Sequence, residues 1–332
     1  MSGVRNLIVD DDGSGQRLDR WLRNRFPGLK QGNLEKLLRT GQIRLDGARS
    51  KAGDRIESGQ TVRVPPNIED NPAEQMPRPS IGGMGLEKAA RLGESLKECV
   101  IYIDDHIMAL NKPPGLAVQG GSKTDVHIDG ALDRLKFGAA DRPRLVHRLD
   151  RDTSGVLLLA RTRAAATAMT RAFQARETRK IYWALVAGKP EHEAGMIDAP
   201  LAKLPGNRGD LVQVDEAMGK SAKTRFRMID HIGKQAAWME LEPLTGRTHQ
   251  LRVHCQLMGN SIIGDGKYGE MDSAVFEAGI DRQLHLHARM LSIPVKNRAP
   301  IEITAPLPKH MLDTWRTLGF DPEDEQAQPV DL

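Results

Sequence analysis

Hydrophobic residues at helical spacing occur twice within the first 40 positions of the chain. Leu18, Trp21 and Leu22 recur at i, i+3 and i+4, which predicts a short helix from Arg17 to Arg25. The same spacing predicts a second helix, which Asn33 caps. Its inward-facing residues are Leu34, Leu37 and Leu38.

Short alternating segments follow these helices. Ile43–Gly47 alternates and ends in Asp46-Gly47, a dipeptide typical of a hairpin turn, and Thr61–Val64 alternates in the same way. Two small helices and a few short strands can bury only a small core. The first 66 residues are therefore predicted to form a small module.

The rest of the chain is richer in strands. The segments 100–103 and 107–110 predict a hairpin, and Thr162 caps a predicted helix at 165–173. Further predicted strands and helices are 180–186, 224–229, 237–242, 248–258 (helix), 284–293 and 311–318 (helix). Because strands and helices do not alternate regularly, we predict an α+β domain with a mixed sheet.

One stretch, Arg144–Ala160, differs from its surroundings. The apolar run Val156–Ala160 follows a polar segment that ends in Gly155, a pattern typical of a loop that enters a buried strand. The segment His147–Ser154 holds two aspartates, two arginines, a histidine and two hydroxyls within eight residues. Loops held by rigid strands often carry functional residues, so we predict the functional site here.

Charge is unevenly distributed along the 332 residues. Lys and Arg number 48 and Asp and Glu 44, a net charge of +4, but residues 1–66 contain thirteen basic residues against eight acidic ones. The stretch from Asp321 to the end contains five acids and no base. A basic first module favours a polyanionic partner, and nucleic acid before a membrane.

Composition also marks the segment boundaries. Pro65–Gly85 contains five prolines and three glycines, as linkers do, and Leu86–Glu98 predicts a short helix. We therefore predict a module at 1–66, a linker with this helix at 67–98, a larger domain at 99–320 and an acidic tail at 321–332. Two cysteines form no disulfide framework, and neither a signal peptide nor a run of 18 apolar residues is present. These features predict a soluble, cytoplasmic protein with no membrane partner.

Three motifs carry a resemblance to a known family. The sequence HRLDRDTSG at 147–155 resembles the signature of the RluA-type pseudouridine synthases, which isomerise uridine in RNA. Asn111–Gly115 resembles the family's first motif, a loop that supports the active site, and Leu244–His254 resembles its third motif. The loop Ala117–Ser122 is similar to the large-subunit rRNA branch, although Gln119 stands where other members more often have His.

The resemblance implies roles for four residues. Asp150 is expected to be the nucleophile beside C1′ and C6 of the uridine, with Arg252 as its ion partner. Tyr182 is expected to stack on the flipped base or to move a proton, and Arg148 to fill the space that the flipped base leaves. In isolation each has an ordinary structural interpretation, such as a loop-capping aspartate. The reaction needs no redox chemistry and no metal, so no cofactor is implied.

The first module resembles the alpha-L RNA-binding module of a small-subunit ribosomal protein. RNA contacts are therefore expected from its basic residues Arg17, Arg20, Lys30, Lys36, Arg39 and Arg44. The implied function is an RNA pseudouridine synthase that acts on large-subunit (23S) ribosomal RNA, as a monomer. The alternatives left open are a tRNA substrate and a non-catalytic rRNA-binding assembly factor.

The same residues allow two other interpretations. Asp150–Ser154 nearly matches the DxDxT loop of haloacid-dehalogenase-like phosphotransferases, but Ser154 stands where that loop has Thr, and no buried strand is predicted before it. A metal site is the second alternative, although its candidate ligands have no known zinc spacing. They are His249, His254, Cys255, His285 and His287.

Overall fold

A computed structural model of the chain describes most of its residues, in two compact units, Met1–Arg78 and Pro79–Leu332. The described residues are 4–10, 13–26, 28–66, 68, 85–120, 124–204, 211–269, 279–295 and 298–327. Most of the predicted proline-rich linker and the end of the predicted acidic tail lie outside them. Among the described residues, no helix has both the length and the apolar character needed to cross a bilayer.

The first unit combines two helices with a four-stranded antiparallel sheet of order β1-β4-β2-β3. Its elements are β1 (Arg5–Ile8), α1 (Leu18–Arg25), α2 (Gln31–Arg39), β2 (Arg44–Leu45), β3 (Ala48–Arg49) and β4 (Thr61–Val64). The predicted hairpin turn is present: Asp46 and Gly47 have φ of 48° and 78°, as a tight turn between β2 and β3 requires. The apolar faces of both helices pack with Ile43, Ile56 and the inward residues of β4 in one core.

One helix boundary in this unit differs from the prediction. Asn33 does not cap α2, because the helix begins at Gln31 and its N-cap position is Lys30, whose extended backbone carries no capping side-chain hydrogen bond. Asn33 lies inside the first turn, where its backbone N–H donates to the carbonyl of Lys30. The apolar spacing located the helix, and the preference of Asn for caps misplaced its start by three residues.

The second unit contains the remaining elements. Its first half comprises α3 (Leu86–Glu98), β5 (Val100–Ile103), β6 (Ile107–Lys112), α4 (Ile128–Ala131), β7 (Arg144–Leu145), β8 (Ser154–Ala160), α5 (Arg163–Ala175) and β9 (Arg179–Ala187). Its second half comprises β10 (Ala194–Asp198), β11 (Leu201–Lys203), β12 (Val212–Val214), β13 (Lys223–Ile232), β14 (Ala236–Pro243), α6 (Gln250–Leu257), β15 (Leu286–Ile293), β16 (Ile301–Thr304) and α7 (Lys309–Leu318).

A ten-stranded sheet organises this unit, and its main path runs β10-β13-β14-β9-β15-β8-β6-β5. All neighbouring strands pair antiparallel except β8 and β15, which are parallel. The predicted α+β class with a mixed sheet is therefore confirmed. The predicted hairpin β5–β6 and the Thr162 cap of α5, which accepts from the N–H of Ala165 at 3.1 Å, are also present.

Helices cover both faces of the sheet. Trp315 of α7 packs with Trp183 and Trp238 on one part of it, and Leu96 of α3 packs with Met108 and Leu157 on another.

Strand β10 was not predicted, because four of its five residues are exposed and its pattern shows no alternation. This edge strand depends on its pairing with β13 and not on its own burial.

Candidate functional site

The loop that precedes β8 is fixed by a close contact with β15. Gly155 has a φ of +105°, and a Cβ built there would lie 2.2 Å from the carbonyl oxygen of Ala288. Only glycine fits a position with both properties. Beside it, the Ser154 hydroxyl lies 2.8 Å from Nδ1 of His287, and all seven residues of β8 are buried. The loop before Ser154 is therefore attached to a rigidly held strand.

Lys112, the last residue of β6, supports the same loop from the other side. Its Nζ donates to the carbonyl oxygens of Pro113, Leu116 and Arg151, each at 2.8 Å. The side chain is fully buried, and burial lowers the pKa of Lys112 to about 7, although the charges of Asp152 and Asp150 oppose this. The sequence predicted a supporting loop at 111–115 and did not single out this lysine. A basic residue at the end of a strand, directly before Pro113, was the available signal.

A cleft of about 660 Å³ is lined in part by the loop that precedes β8. The loop before β8, the end of α5, strand β9 and the connection from β14 into α6 line it together. The structure brings four predicted site residues to this cleft from three separate parts of the chain: Arg148 with Asp150, Tyr182, and Arg252.

Basic residues outnumber acidic ones among the described residues that line the cleft. Asp150 is the one acidic residue among the described residues that line it, and its side chain is 20% exposed. The basic residues that line the cleft are Arg148, Arg176, Lys180, Arg247 and Arg252. A cleft of this kind attracts a polyanion and offers it one carboxylate.

Arg252 has a different carboxylate partner from the one expected. Its Nε donates to Oδ2 of Asp265 at 2.7 Å and its Nη2 to Oδ1 at 2.5 Å, a buried bidentate pair, and no direct ion pair joins Arg252 to Asp150. Burial lowers the pKa of Arg252, but the hydrogen bonds and charge of Asp265 and the charge of Asp150 raise it overall. The guanidinium is thus held by Asp265 while it contributes positive charge to the site of Asp150.

Tyr182 lies on β9 with its ring between two parts of the core. Burial raises the pKa of its hydroxyl, and the charge of Asp150 raises it further, so the side chain stays a neutral phenol. Within the described residues its hydroxyl has no hydrogen-bond partner. It is therefore available to a bound molecule as a neutral donor or as a stacking surface.

His147 and Arg148 are neighbours with different environments. Nε2 of His147 accepts from the backbone N–H of Leu158 at 2.8 Å, and its ring stacks on Phe173. Burial lowers the pKa of His147 to about 3, so this histidine is a neutral structural residue. Arg148 is exposed at the cleft and has no side-chain partner in the described part of the chain.

A scan against protein-family models matches residues 106–257 to the family described as RNA pseudouridylate synthase. The chain is 38% identical to "Ribosomal large subunit pseudouridine synthase C" of Vibrio cholerae, over 93% of this chain and 95% of that protein. It is 35% identical to the protein of the same name from Salmonella typhi, over 93% and 94% of the two chains.

The chain belongs to the RNA pseudouridine synthase family. Solved structures agree at the level of the fold. "Human RNA Pseudouridylate Synthase Domain Containing 4" superposes with a TM-score of 0.61 at 26% identity, over 70% of this chain and 97% of that one. "Human RNA Pseudouridylate Synthase Domain Containing 1" gives 0.51 at 28% identity, over 63% and 83%.

Membership of this family and the fold disagree with the phosphotransferase interpretation. A DxDxT loop follows a buried strand, whereas the segment 150–154 is preceded by the two-residue strand β7 and itself enters the buried strand β8. The matched region includes all four cleft residues that the sequence predicted and ends at residue 257, before Asp265.

The four histidines considered as metal ligands have other partners. His285 lies 2.8 Å from the carbonyl of Gln283 and 2.9 Å from the Thr314 hydroxyl, and His254 lies 2.9 Å from the Thr224 hydroxyl. Within the described ranges, no three His, Cys, Asp or Glu residues come together in a group that can hold a metal ion.

The six basic residues predicted to contact RNA all lie exposed in the first unit of this synthase. Arg17 pairs with Asp19 at 2.8 Å, and Arg44 donates to the carbonyls of Gly41 and Gly47. The other four have no ion pair within the described residues: Arg20, Lys30, Lys36 and Arg39. In the part of the chain that the structure describes, these four have neither an ion pair nor a side-chain hydrogen bond, so both their charge and their donors are available to a partner.

Proposed function

We propose that the chain isomerises specific uridines of large-subunit ribosomal RNA to pseudouridine in its cleft. One observation carries this proposal: three separate segments, which supply Arg148 with Asp150, Tyr182, and Arg252, converge on one cleft, and among its described lining residues Asp150 is the single acid beside several bases. The family membership supplies the reaction class, and this convergence supplies the residues.

The chemistry assigns Asp150 to the reacting atoms. Pseudouridine formation breaks the bond between C1′ of the ribose and N1 of the base, and joins C1′ to C5 of the same base. A carboxylate beside C1′ and C6 can act as a nucleophile, and the Arg252 guanidinium contributes positive charge to its surroundings. Tyr182, as a neutral phenol, stacks on the uracil and retains the detached base in the cleft.

Arg148 is suited to the flipping step. A uridine inside a stacked helix hides C1′, so the nucleotide must leave the stack, at a cost of a few kcal/mol. An exposed arginine two residues before Asp150 has the reach and the planar guanidinium to occupy the space that the base vacates.

The substrate class rests on the relatives and on charge. The Vibrio and Salmonella proteins carry the name of a ribosomal large-subunit enzyme, and this chain covers more than nine tenths of each. The exposed basic residues of the first unit supply phosphate contacts outside the cleft. The isomerisation exchanges no electrons with an outside acceptor. We therefore propose that the reaction needs neither a metal nor an organic cofactor. We also propose that the protein works as a monomer in the cytoplasm.

Tritium release tests the proposal directly. Uridine labelled with tritium at C5 loses the label to water when C5 bonds to C1′, so release from a labelled large-subunit rRNA transcript measures turnover. We expect Asp150→Asn to lower release by about three orders of magnitude and to retain RNA binding. Asp152→Asn is the matched control, since this carboxylate lies two residues away, is paired with Arg151 and does not line the cleft. It should release tritium at nearly the wild-type rate.

Three results would contradict parts of the proposal. Full activity of Asp150→Asn would remove the assigned nucleophile. Release from labelled tRNA but not from rRNA would replace the substrate class. Wild-type protein that binds rRNA tightly and releases no tritium from either RNA would favour the non-catalytic assembly factor.

A further inference from the structure

His249 occupies an unusual position at the edge of the cleft. It is the residue before α6, and its backbone has φ 53° and ψ 18°, in the left-handed region that histidine rarely adopts. Its side chain is 7% exposed and lines the cleft. Strained backbone of this kind persists where the surroundings hold it, and it concentrates at functional sites.

Tyr268 holds the imidazole from one side. The Tyr268 hydroxyl lies 2.7 Å from Nδ1 of His249, and its oxygen accepts the backbone N–H of Val212 at 2.9 Å. The hydroxyl has a single hydrogen, and within the described residues Nδ1 of His249 is its only acceptor. We therefore assign the Tyr268 O–H as the donor to Nδ1, which leaves the ring hydrogen of His249 on Nε2.

The other side of the imidazole faces the proposed nucleophile. Nε2 of His249 lies 4.0 Å from Oδ2 of Asp150, with the cleft opening beside both groups. This separation is longer than a hydrogen bond, and catalytic contacts commonly shorten when substrate binds. With the hydrogen on Nε2 the approach is attractive, whereas the other tautomer would direct a lone pair at the carboxylate.

We infer that His249, oriented by Tyr268, positions the Asp150 carboxylate through its Nε2–H during the reaction. This inference rests on the proposed role of Asp150 as nucleophile. It makes His249 and Tyr268 positioning residues, which act through Asp150 and form no bond to the uridine. It also gives a role to β12, whose Val212 fixes the Tyr268 hydroxyl and lies in the segment 200–223, for which no function was predicted.

Burial keeps His249 a neutral donor. Burial lowers the pKa of His249, and the charge of Asp150 opposes this without reversing it. The titratable or charged groups that face the ring are Asp150, Arg252, Asp265, Lys267 and Tyr268. Arg252 also lies 5.2 Å from the centre of the Tyr268 ring, so the ion pair with Asp265 and the Tyr268–His249 pair form one rigid group.

Nitrogen NMR of histidine-labelled protein tests the geometry without turnover. We expect the His249 signals, identified by their loss in His249→Asn, to show an unprotonated Nδ1 and a protonated Nε2 at neutral pH. Tyr268→Phe, which keeps the ring beneath Arg252, should increase the other tautomer, and Asp150→Asn should shift the Nε2 signal. A predominantly protonated Nδ1 in the wild type would overturn the inference, whatever RNA proves to be the substrate.

Single-turnover tritium release from labelled total cellular RNA tests the role. Asn tolerates the left-handed backbone and can still meet Tyr268, but it has no atom at the Nε2 position. We expect His249→Asn to slow the reaction by about 10- to 100-fold and Tyr268→Phe by a smaller factor, with RNA affinity within about twofold of wild type.

His254→Asn is the matched control. His254 is buried on α6, the helix that begins directly after His249, but it bonds to Thr224 and Ala199 and does not line the cleft. This variant should keep the wild-type single-turnover rate, corrected for its folded fraction, and the wild-type tautomer signals of His249. If His249→Asn matches His254→Asn in rate while Asp150→Asn is inactive, His249 is merely structural and the inference fails, although the proposed function stands.

Discussion

The Nζ atom of Lys112 lies 2.8 Å from the carbonyl oxygen of Arg151, the residue that follows Asp150 in the chain. A side chain at the end of β6 therefore fixes the backbone of the loop that carries the proposed nucleophile. The three carbonyl acceptors around Nζ match the three hydrogens of an ammonium group, so each hydrogen has a partner in a fully buried site.

Lys112→Met should remove the hydrogen bonds that support the loop of Asp150, while the protein still folds. Methionine retains the apolar stem and removes three donors, which leaves buried carbonyls unpaired and costs about 3 kcal/mol of unfolding free energy. We expect tritium release to fall more than RNA affinity, because the loop of Asp150 loses its fixed position. Urea unfolding and single-turnover release measure the two effects.

The neighbouring Asn111 provides the comparison for Lys112. Its side chain makes one exposed hydrogen bond, to the carbonyl of Pro306 at 3.0 Å. Asn111→Ala should cost no more than about 1 kcal/mol and keep full activity. Equal losses in both variants would show that Lys112 has no special role in the loop.

Gly155→Ala should be among the most damaging small substitutions in the second unit. The added Cβ would lie 2.2 Å from the Ala288 carbonyl at a φ of +105°, so β8 and β15 would have to separate. We expect the melting temperature, measured by circular dichroism, to fall so far that the protein does not fold at 37 °C.

Gly32→Ala is the control. Its added Cβ meets no atom within 4 Å and lies inside α2, so the change should stabilise the protein by about 0.5–1 kcal/mol. A folded, active Gly155→Ala protein would contradict the close approach of the two strands.

Acid should destabilise the second unit through its buried histidines. Burial lowers the pKa of His147 and of His287 to about 3 and that of His285 to about 4. Unfolded histidine titrates near 6.5, so the unfolded state takes up protons first as the pH falls. The stability is complete above about pH 6.5, and each histidine removes about 1.4 kcal/mol per pH unit below it, down to its folded-state pKa.

Urea unfolding between pH 7 and 4 measures this dependence. His287→Gln should make the slope shallower, whereas His192→Gln, at an exposed position, should leave it unchanged. An unfolding free energy that does not change between pH 6.5 and 4 would show that these histidines can be protonated in the folded protein.

Salt dependence should report on the first unit. Replacement of Arg20, Lys30, Lys36 and Arg39 by Gln removes four exposed charges that have no ion pair within the described residues. On single-stranded RNA, the slope of log affinity against log salt should become shallower by about 0.7 for each phosphate that the variant no longer binds. Arg91→Gln, an exposed pair partner of Glu87 on α3, should keep the wild-type slope. An unchanged slope in the fourfold variant would remove the RNA-binding role of this surface.

Local patterns predicted much of the fold. The apolar run before Ala160, the hairpin β5–β6 and the Asp46-Gly47 turn each depend on residues within a few positions of one another, so spacing alone identified them. The cleft residues could be chosen because the motif at 147–155 resembles a family. Composition alone would have assigned Asp150 to a loop cap.

The missed interactions depend on residues far apart in the chain. Arg252 pairs with Asp265 because the turn after α6 returns the chain to the helix, and no spacing rule distinguishes this carboxylate from Asp150. The Tyr268–His249 pair depends on the same turn, together with a left-handed backbone at His249 that nothing in the sequence signals. Three-dimensional proximity and not local propensity determines such pairs.

The parallel pairing of β8 with β15 also sets an order of events during synthesis. Ser154 meets His287 across 133 positions of chain, so the end of β8 at Ser154 and Gly155 cannot pair with β15 until the ribosome has made almost the whole second unit. The first unit buries its own core from residues that end at Ile68, and it can fold much earlier. A nascent chain therefore acquires its basic surface long before the loop of the proposed nucleophile is held in place, so the proposed RNA-binding surface forms before the proposed reaction site.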